Sequence, residues 1–191
     1  MKWLAFVVLL AASPALAQQS PLDNISYTAL AHAPVGTWAD YLMTKEGESE
    51  VITVRYQLMK RDAKQAVLEV DSKTPIGRVL TRVQFTIAGS KWTLTRAQVK
   101  IGDIDPIDTP LPDSGHTTDG KDALLGKPAG KDTVTVKAGK IAAQHYKPTR
   151  RGKGEMWASD DVFPVGVVKI NDGDGSTIEL VGTGKGAKSV F

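Results

Sequence analysis

The stretch that decides the fold class is Val51-Ile52-Thr53-Val54-Arg55-Tyr56-Gln57-Leu58. Apolar side chains occupy every second position after Val51, and Thr, Arg and Gln stand between them. A period of two is typical of a β-strand with one face in the protein core and the other face in water. The stretch therefore predicts a strand whose inward side chains are Ile52, Val54, Tyr56 and Leu58.

The same alternation recurs along most of the chain. Gly, Pro, Asn, Asp and Ser cluster between the apolar runs, as at 72–77 and 88–90, and favour turns. The connections are too short for helical crossovers, so the strands should be mostly antiparallel. We expect about ten or eleven strands, formed by 51–58 together with 38–43, 66–71, 79–87, 92–95, 133–137, 141–146, 155–159, 165–170, 177–181 and a short 189–191.

Helical signals are few. Ser20 and Pro21 precede a short apolar pattern that predicts a helix over residues 21–31, and a second short helix is predicted over 119–125. Residues 103–120 contain three prolines and five aspartates and are predicted to form a long connection. Two short helices cannot cover ten strands. The sheet must therefore either pack against a second sheet as a sandwich or curl into a barrel or half-barrel around a cavity.

The first seventeen residues have the features of a secretory signal peptide. Lys2 provides a positive charge, residues 3–12 form an apolar run, and Ala15-Leu16-Ala17 is a small-residue cleavage signature. The apolar run is shorter than the roughly 20 residues that span a bilayer. We expect removal of residues 1–17 and a single β-rich domain over 18–191, soluble in the periplasm or secreted and not membrane-spanning.

Composition narrows the function classes. The chain has no cysteine and only three histidines, and its formal charge of +3 comes from basic residues spread along its length. The composition disfavours thiolate chemistry, a histidine-rich metal site and a nucleic-acid interface. No catalytic motif such as a Gly-x-Ser-x-Gly elbow is present. We therefore expect a non-enzymatic protein without a cofactor or metal.

Two polar features have simple structural interpretations. Residues 171–176, Asn-Asp-Gly-Asp-Gly-Ser, resemble part of a calcium loop but lack the distal Glu, and they lie between two predicted strands. A metal-free hairpin turn is the favoured interpretation. His145 is in phase with Ile141 and Ala143, which favours a partly buried structural histidine over a ligand or a base.

Three segments together resemble a known family. They are Gly36-Thr37-Trp38-Ala39-Asp40-Tyr41, Val134-Thr135-Val136-Lys137-Ala138-Gly139, and Glu155-Met156-Trp157-Ala158-Ser159 followed by Pro164-Val165-Gly166-Val167-Val168-Lys169. Together with the signal peptide, the order of these segments resembles that in sequences of the periplasmic lipoprotein-carrier superfamily, the LolA/LolB-like domains and their uncharacterised relatives. The resemblance extends over residues 36–185. It implies a strongly curved, unclosed antiparallel sheet, a half-open barrel, over an apolar cavity that takes acyl chains.

Together, the alternation and the resemblance predict a ligand-binding concave face. We expect a hydrophobic ligand, either a lipid or lipid-linked cargo, with a lipid or lipidated protein and a transient envelope partner as candidate partners. A non-catalytic structural or interaction module of the cell envelope is the alternative, and a hydrolase comes third. The predicted cavity-lining residues are Ile52, Val54, Tyr56, Leu58, Phe85, Trp92 and Leu94.

Overall fold

A computed structural model describes residues 25–111, 117–118, 126–147 and 154–191. The predicted signal peptide and the predicted helix at 119–125 lie outside these residues. The described part contains one α-helix, α1 (Tyr27–His32), and twelve strands. The strands are β1 (Trp38–Lys45), β2 (Ile52–Arg61), β3 (Gln65–Thr74), β4 (Gly77–Ala88), β5 (Lys91–Ile101), β6 (Ile107–Asp108), β7 (Thr117–Thr118), β8 (Lys127–Val136), β9 (Gly139–Lys147), β10 (Glu155–Ala158), β11 (Val167–Asn171) and β12 (Ser176–Gly184).

All of these strands join one antiparallel sheet. Its order is β6-β5-β4-β3-β2-β1-β12-β11-β10-β9-β8, and β7 pairs with β5 beside this path. The two ends of the path, β6 and β8, do not pair with each other among the described strands, so the sheet is curved but not closed. The predicted mainly β half-open barrel is thereby confirmed.

Alternation in the sequence located most strands correctly. β2 to β5 form a meander in which Leu58 lies opposite Leu68 and Leu68 opposite Val83, so one face of these strands is continuously apolar. The predicted turn at 88–90 joins β4 and β5 as a hairpin, and Gly89 there has a φ of 62°. The long connection after residue 103 contains the two short strands β6 and β7. Residues 189–191 are not a strand, which corrects that prediction.

Helix α1 fills one end of the sheet's inner face, which we define as the face bearing Leu58, Leu68 and Phe85. Ser26 caps the helix by accepting a hydrogen bond from the Ala29 N–H at 3.1 Å. Tyr27 makes edge-to-face contacts with Phe85 and Trp92, at ring-centroid distances of 6.2 and 5.8 Å. Because these rings are buried, the inner face at this end is a packed core. Among the described residues, no helix combines the length and apolarity that crossing a membrane requires.

The alternation predicted that the opposite, outer face of β2 and β3 is exposed to water. Part of this face is instead buried. Gln57 and Glu69 are polar members of the alternating pattern, yet they are only 2% and 1% exposed. The C-terminal segment, residues 185–191, runs over them outside any strand, and Gln57 and Glu69 both bond to it. Sequence periodicity reports which face of a strand a residue occupies, but it does not report what covers that face.

The two polar features of the sequence have the expected local structures. Residues 171–176 connect β11 to β12 as a hairpin, where the Asp172 carboxylate accepts bonds from the Asp174 and Ser176 N–H groups. His145 is mostly buried and stacks on Trp157, with ring centroids 4.8 Å apart and planes 9° apart. Trp157 in turn donates from Nε1 to Asp132 at 2.9 Å.

Candidate functional site

A row of four apolar side chains forms the floor of a pocket on the inner face, at the end of the sheet remote from α1. Met43 on β1 lies opposite Ile52 on β2 and opposite Ile178 on β12, and Ile178 lies opposite Ile170 on β11. Directly opposed residues in antiparallel strands project to the same face, so the four side chains stand side by side. We call Ile52, Met43, Ile178 and Ile170 the apolar row.

The pocket above the apolar row has a volume of about 130 Å³. Three connections surround it: the β1–β2 connection with Glu48 and Glu50, the β3–β4 turn with Pro75 and Ile76, and the β11–β12 hairpin with Asp172. Ile76 is 68% exposed although it lines the pocket. The mouth is therefore apolar on one side and charged on the other.

The charged side of the mouth is partly neutralised by internal pairing. Lys45 Nζ lies 2.8 Å from Glu48 Oε1, and this bond raises the pKa of Lys45. Burial raises the pKa of Asp172, and its hydrogen bond with Asp174 acts in the same direction, whereas that bond lowers the pKa of Asp174. Glu50 adds a further carboxylate to the lining.

Two tyrosines fill the inner face near the apolar row. Tyr41 donates a hydrogen bond from its hydroxyl to the Val167 carbonyl at 2.8 Å, and its ring meets Tyr56 edge to face at 5.6 Å. Burial raises the pKa of Tyr41 well above its ordinary value, with smaller contributions from Tyr56 and Asp40, and burial likewise raises the pKa of Tyr56. Both hydroxyls are therefore neutral at physiological pH, so this part of the inner face carries no charge.

The structure places the seven predicted cavity-lining residues in three different environments. Ile52 lines the pocket. Tyr56 is half-buried and packs against the core. The remaining five are at most 7% exposed and belong to the packed core: Val54, Leu58, Phe85, Trp92 and Leu94. That any of the seven contacts a ligand stays a prediction.

Sequence reasoning missed most of the pocket. Met43, Ile170 and Ile178 lie in strands that the alternation predicted, and their role depends on the pairing of β1 with β12, which brings distant segments together. A stronger signal was available in Ile76, an isoleucine within a predicted turn. Exposed turns normally carry polar or small residues, so an apolar one there indicates an unusual surface.

The described residues offer no evident site for a metal. None of their histidine, aspartate and glutamate side chains form a group of three or more that could hold an ion. His145 is flanked by Asp132 and Glu155, each at 3.5 Å, but the two carboxylates approach opposite nitrogens of the ring. These groups cannot converge on one cation.

Comparison with known proteins gives only distant likenesses. No protein-family model matches the chain, and no curated protein matches it significantly. Among solved structures, a predicted lipoprotein from Parabacteroides distasonis is 12% identical, with 79% of this chain and 96% of that chain covered and a TM-score of 0.42. A predicted exported protein with a YmcC-like fold from Bacteroides fragilis is 9% identical, with 80% and 97% covered and a TM-score of 0.39. A redesigned β-barrel, mFAP1, bound to DFHBI, is 12% identical, with 84% and 97% covered and a TM-score of 0.25. At these TM-scores the likenesses carry no weight for function, which has to be argued from the site.

Proposed function

We propose that this protein is a non-catalytic binding protein of the periplasm or the secreted fraction, and that it holds the apolar part of a lipid or lipid-linked cargo. The observation that carries the proposal is the apolar row beneath an open mouth. Two pairs of strands that are distant from each other in sequence, β1 with β2 and β11 with β12, place Ile52, Met43, Ile178 and Ile170 together there. A concave apolar surface with a few polar groups at its rim is the usual form of a small-molecule site.

The size of the pocket limits what enters it. Its volume of about 130 Å³ is similar to that of a cavity of about 150 Å³ that accommodates benzene. The pocket therefore takes the end of an acyl chain or a comparable apolar group, and the rest of the ligand lies along the mouth. Ile76 and Pro75 provide apolar surface for that part.

The packing around α1 favours a second candidate, a structural or interaction module of the cell envelope. Tyr27, Phe85 and Trp92 fill the inner face at the end remote from the pocket, as in a closed core. A module of this kind needs a stable sheet and no ligand. Binding measurements on the purified protein separate the two candidates.

The test is a titration of the full chain with a fluorescent fatty acid. We expect saturable binding with a stoichiometry near one, and displacement by phospholipid or by a diacylated peptide, because each buried CH₂ contributes about 0.8 kcal/mol. A protein that binds neither the probe nor the lipids would support the structural module and end the carrier proposal.

Two variants with a matched control localise the binding. Ile52→Glu places a charge at the half-buried pocket floor, where it can reach water, so binding should fall while the cooperative melt remains. Thr53→Glu places the same charge on the exposed neighbour and should leave binding unchanged. Val54→Asp buries a charge in the core and should cost several kcal/mol, enough to unfold a typical domain. Equal binding by the Ile52 variant and the wild type would exclude this pocket.

A further inference from the structure

The chain leaves the sheet after Gly184 and continues across the outer face as residues 185–191. Its backbone is held at three places: the Ala187 N–H donates to the Gly36 carbonyl at 2.9 Å, the Lys188 carbonyl accepts from Gln57 Nε2 at 3.3 Å, and the Val190 N–H donates to Glu69. We call residues 185–191 the C-terminal segment. Its bonds are to side chains and a turn, so it is not an additional strand.

Glu69 is the centre of the contact between the sheet and this segment. Its carboxylate is nearly inaccessible to solvent and accepts hydrogen bonds from Ser189 Oγ at 2.8 Å and from the Val190 N–H at 3.2 Å. Arg82 and Gln57 also donate to it, at 2.6 and 3.0 Å. A buried carboxylate is costly unless it is paired and bonded, so these partners form a preorganised polar site.

Arg82 extends the site toward the last residue. Its guanidinium bonds to Ser189 Oγ at 3.0 Å and stands over the Phe191 ring, 4.3 Å from the ring centroid. The site thus contacts three features of an extended peptide: the hydroxyl of Ser189, the backbone N–H that follows it, and an aromatic ring two positions after the hydroxyl. The contacts thus involve three successive residues, 189–191.

The connection between β12 and the segment contains two glycines. Gly184 and Gly186 flank Lys185, and Gly186 has a φ of 81°, which favours glycine. Gly184 is fixed by packing, since a Cβ there would lie 2.5 Å from the Trp38 ring, whereas a Cβ at Gly186 would meet nothing within 4 Å. Gly186 is therefore less tightly packed than Gly184, and it lies two residues before Lys188, where the contacts with Gln57, Glu69 and Arg82 begin.

We propose that Gln57, Glu69 and Arg82 form a peptide-binding site whose exchangeable internal ligand is residues 188–191, and that a second copy of this chain supplies the same segment in trans. The attached segment occupies the site because its local concentration is high, in the millimolar range for a short linker. A free peptide competes only when the attached segment is weakened. Exchange of a terminal segment across a flexible hinge is a low-cost route to dimers.

The first experiment uses the full-length chain and a fluorescein-labelled peptide of residues 185–191, followed by fluorescence polarisation. A variant with Ser189→Ala and Phe191→Ala keeps the site but loses the competing contacts. We expect it to bind the peptide at least about ten-fold more tightly than the wild type does, because its own weakened segment then competes less for the site. Equal binding to the two proteins, or binding to neither, would overturn the proposal.

Two controls establish that the proposed site is responsible. Adding Glu69→Gln to the tail variant should abolish peptide binding, and a thermal melt shows whether that protein is folded. If it is not folded, a peptide carrying Ser189→Ala provides the same comparison on the ligand side and should bind at least about ten-fold more weakly. Peptide binding that is insensitive to both changes would contradict the assigned contacts.

The exchange between copies is tested by mixing. One copy carries Glu69→Gln and retains its segment, and the other carries the tail substitutions and retains its site. Native mass spectrometry should show a heterodimer in the mixture and mainly monomer for each variant alone; absence of the heterodimer would refute exchange in trans.

The pocket of the proposed function lies on the inner face, whereas the peptide-binding site lies on the outer face. Ile52→Glu should therefore leave peptide binding intact, so the proposed function and this inference can fail separately.

Discussion

Gly166 is a residue at which adding a single methyl group should strongly lower the free energy of unfolding. An added Cβ would lie 2.6 Å from the Ser26 Cβ and 2.9 Å from the Ala29 Cβ, and the φ of Gly166 is 76°. Both the crowding and the left-handed backbone penalise alanine. We expect Gly166→Ala to lower the free energy of unfolding by about 3 kcal/mol, measured by urea denaturation.

Gly89 provides the matched comparison. It also has a positive φ, but a Cβ there would meet nothing within 4 Å, so Gly89→Ala should cost only ~1 kcal/mol from the backbone. Similar losses in the two variants would mean that α1 does not approach Gly166 as closely as the structure shows.

Glu69 should make part of the stability dependent on pH. Burial raises its pKa, but the hydrogen bonds from Arg82, Ser189, Val190 and Gln57 outweigh burial, so the pKa lies below its ordinary value. A lowered pKa means that stabilisation is present above the unfolded-state pKa and is lost as the pH falls through the folded-state pKa. The difference in unfolding free energy between wild type and Glu69→Gln should therefore shrink from pH 7 to pH 3. A constant difference across that range would contradict the bonding described for this carboxylate.

At the scale of elements, α1 depends on its cap because it has only six residues. The Ser26 side chain accepts the Ala29 N–H, and the Ser26 N–H donates to the Val165 carbonyl at 2.9 Å. Ser26→Ala removes the first bond and should cost about 1 kcal/mol. Val35→Ala, a change at a residue that is 55% exposed just after the helix, serves as the control and should stay within about 0.5 kcal/mol. Thermal melts of both variants decide; equal melting temperatures would rule out a capping role.

Strand elements were the part of the fold that the sequence predicted well. Alternation located β2 to β5 because each is long and has one face in the core. The alternation wrongly predicted a strand at residues 189–191. These residues lie over polar side chains of the sheet but do not pair with any strand. The pairing between β1 and β12 could not be predicted from local sequence patterns, since neither segment has a property that indicates which strand it pairs with.

The candidate site was less predictable because it too depends on how distant segments pack together. Ile52 was identified because its strand faces inward, but the pattern could not distinguish a pocket floor from a packed core. Phe85 and Trp92 became core residues because Tyr27 of α1 fills the space above them. Which inward residues stay accessible depends on what packs over them, and that is a property of the assembled sheet.

At the scale of the whole molecule, the unclosed sheet has an edge at β8 that must resist pairing with other molecules. Its exposed first half contains Lys127, Pro128 and Lys131, and the pairing with β9 is irregular between Pro128 and Gly130. Charge, proline and bulges are the usual protections of such edges. Pro128→Val with Lys131→Val should therefore cause self-association, visible by light scattering at high protein concentration.

A change of similar chemistry away from the edge serves as the control. Lys73 is exposed on β3 and is paired with Thr53 of β2 on one side and with Arg78 of β4 on the other. Lys73→Val removes a charge and adds an apolar side chain without opening an edge, so it should leave the protein monomeric. Association of this variant to the same extent would indicate general surface hydrophobicity instead of strand pairing.

The pairing of β1 with β12 also sets the order in which the fold can be completed. Trp38 lies opposite Gly184, so strands from the two ends of the described chain meet in the middle of the sheet. As the chain emerges from the ribosome, β1 to β5 can form their hairpins at once, but one edge of β1 stays unpaired until β12 has been synthesised. Such high contact order predicts slow folding, on the millisecond to second scale. A circular permutant in which a flexible linker joins residue 191 to residue 25, so that α1 and β1 follow β12, with new ends opened between residues 103 and 106, should fold faster than the native order in stopped-flow refolding. Equal refolding rates would contradict this expectation.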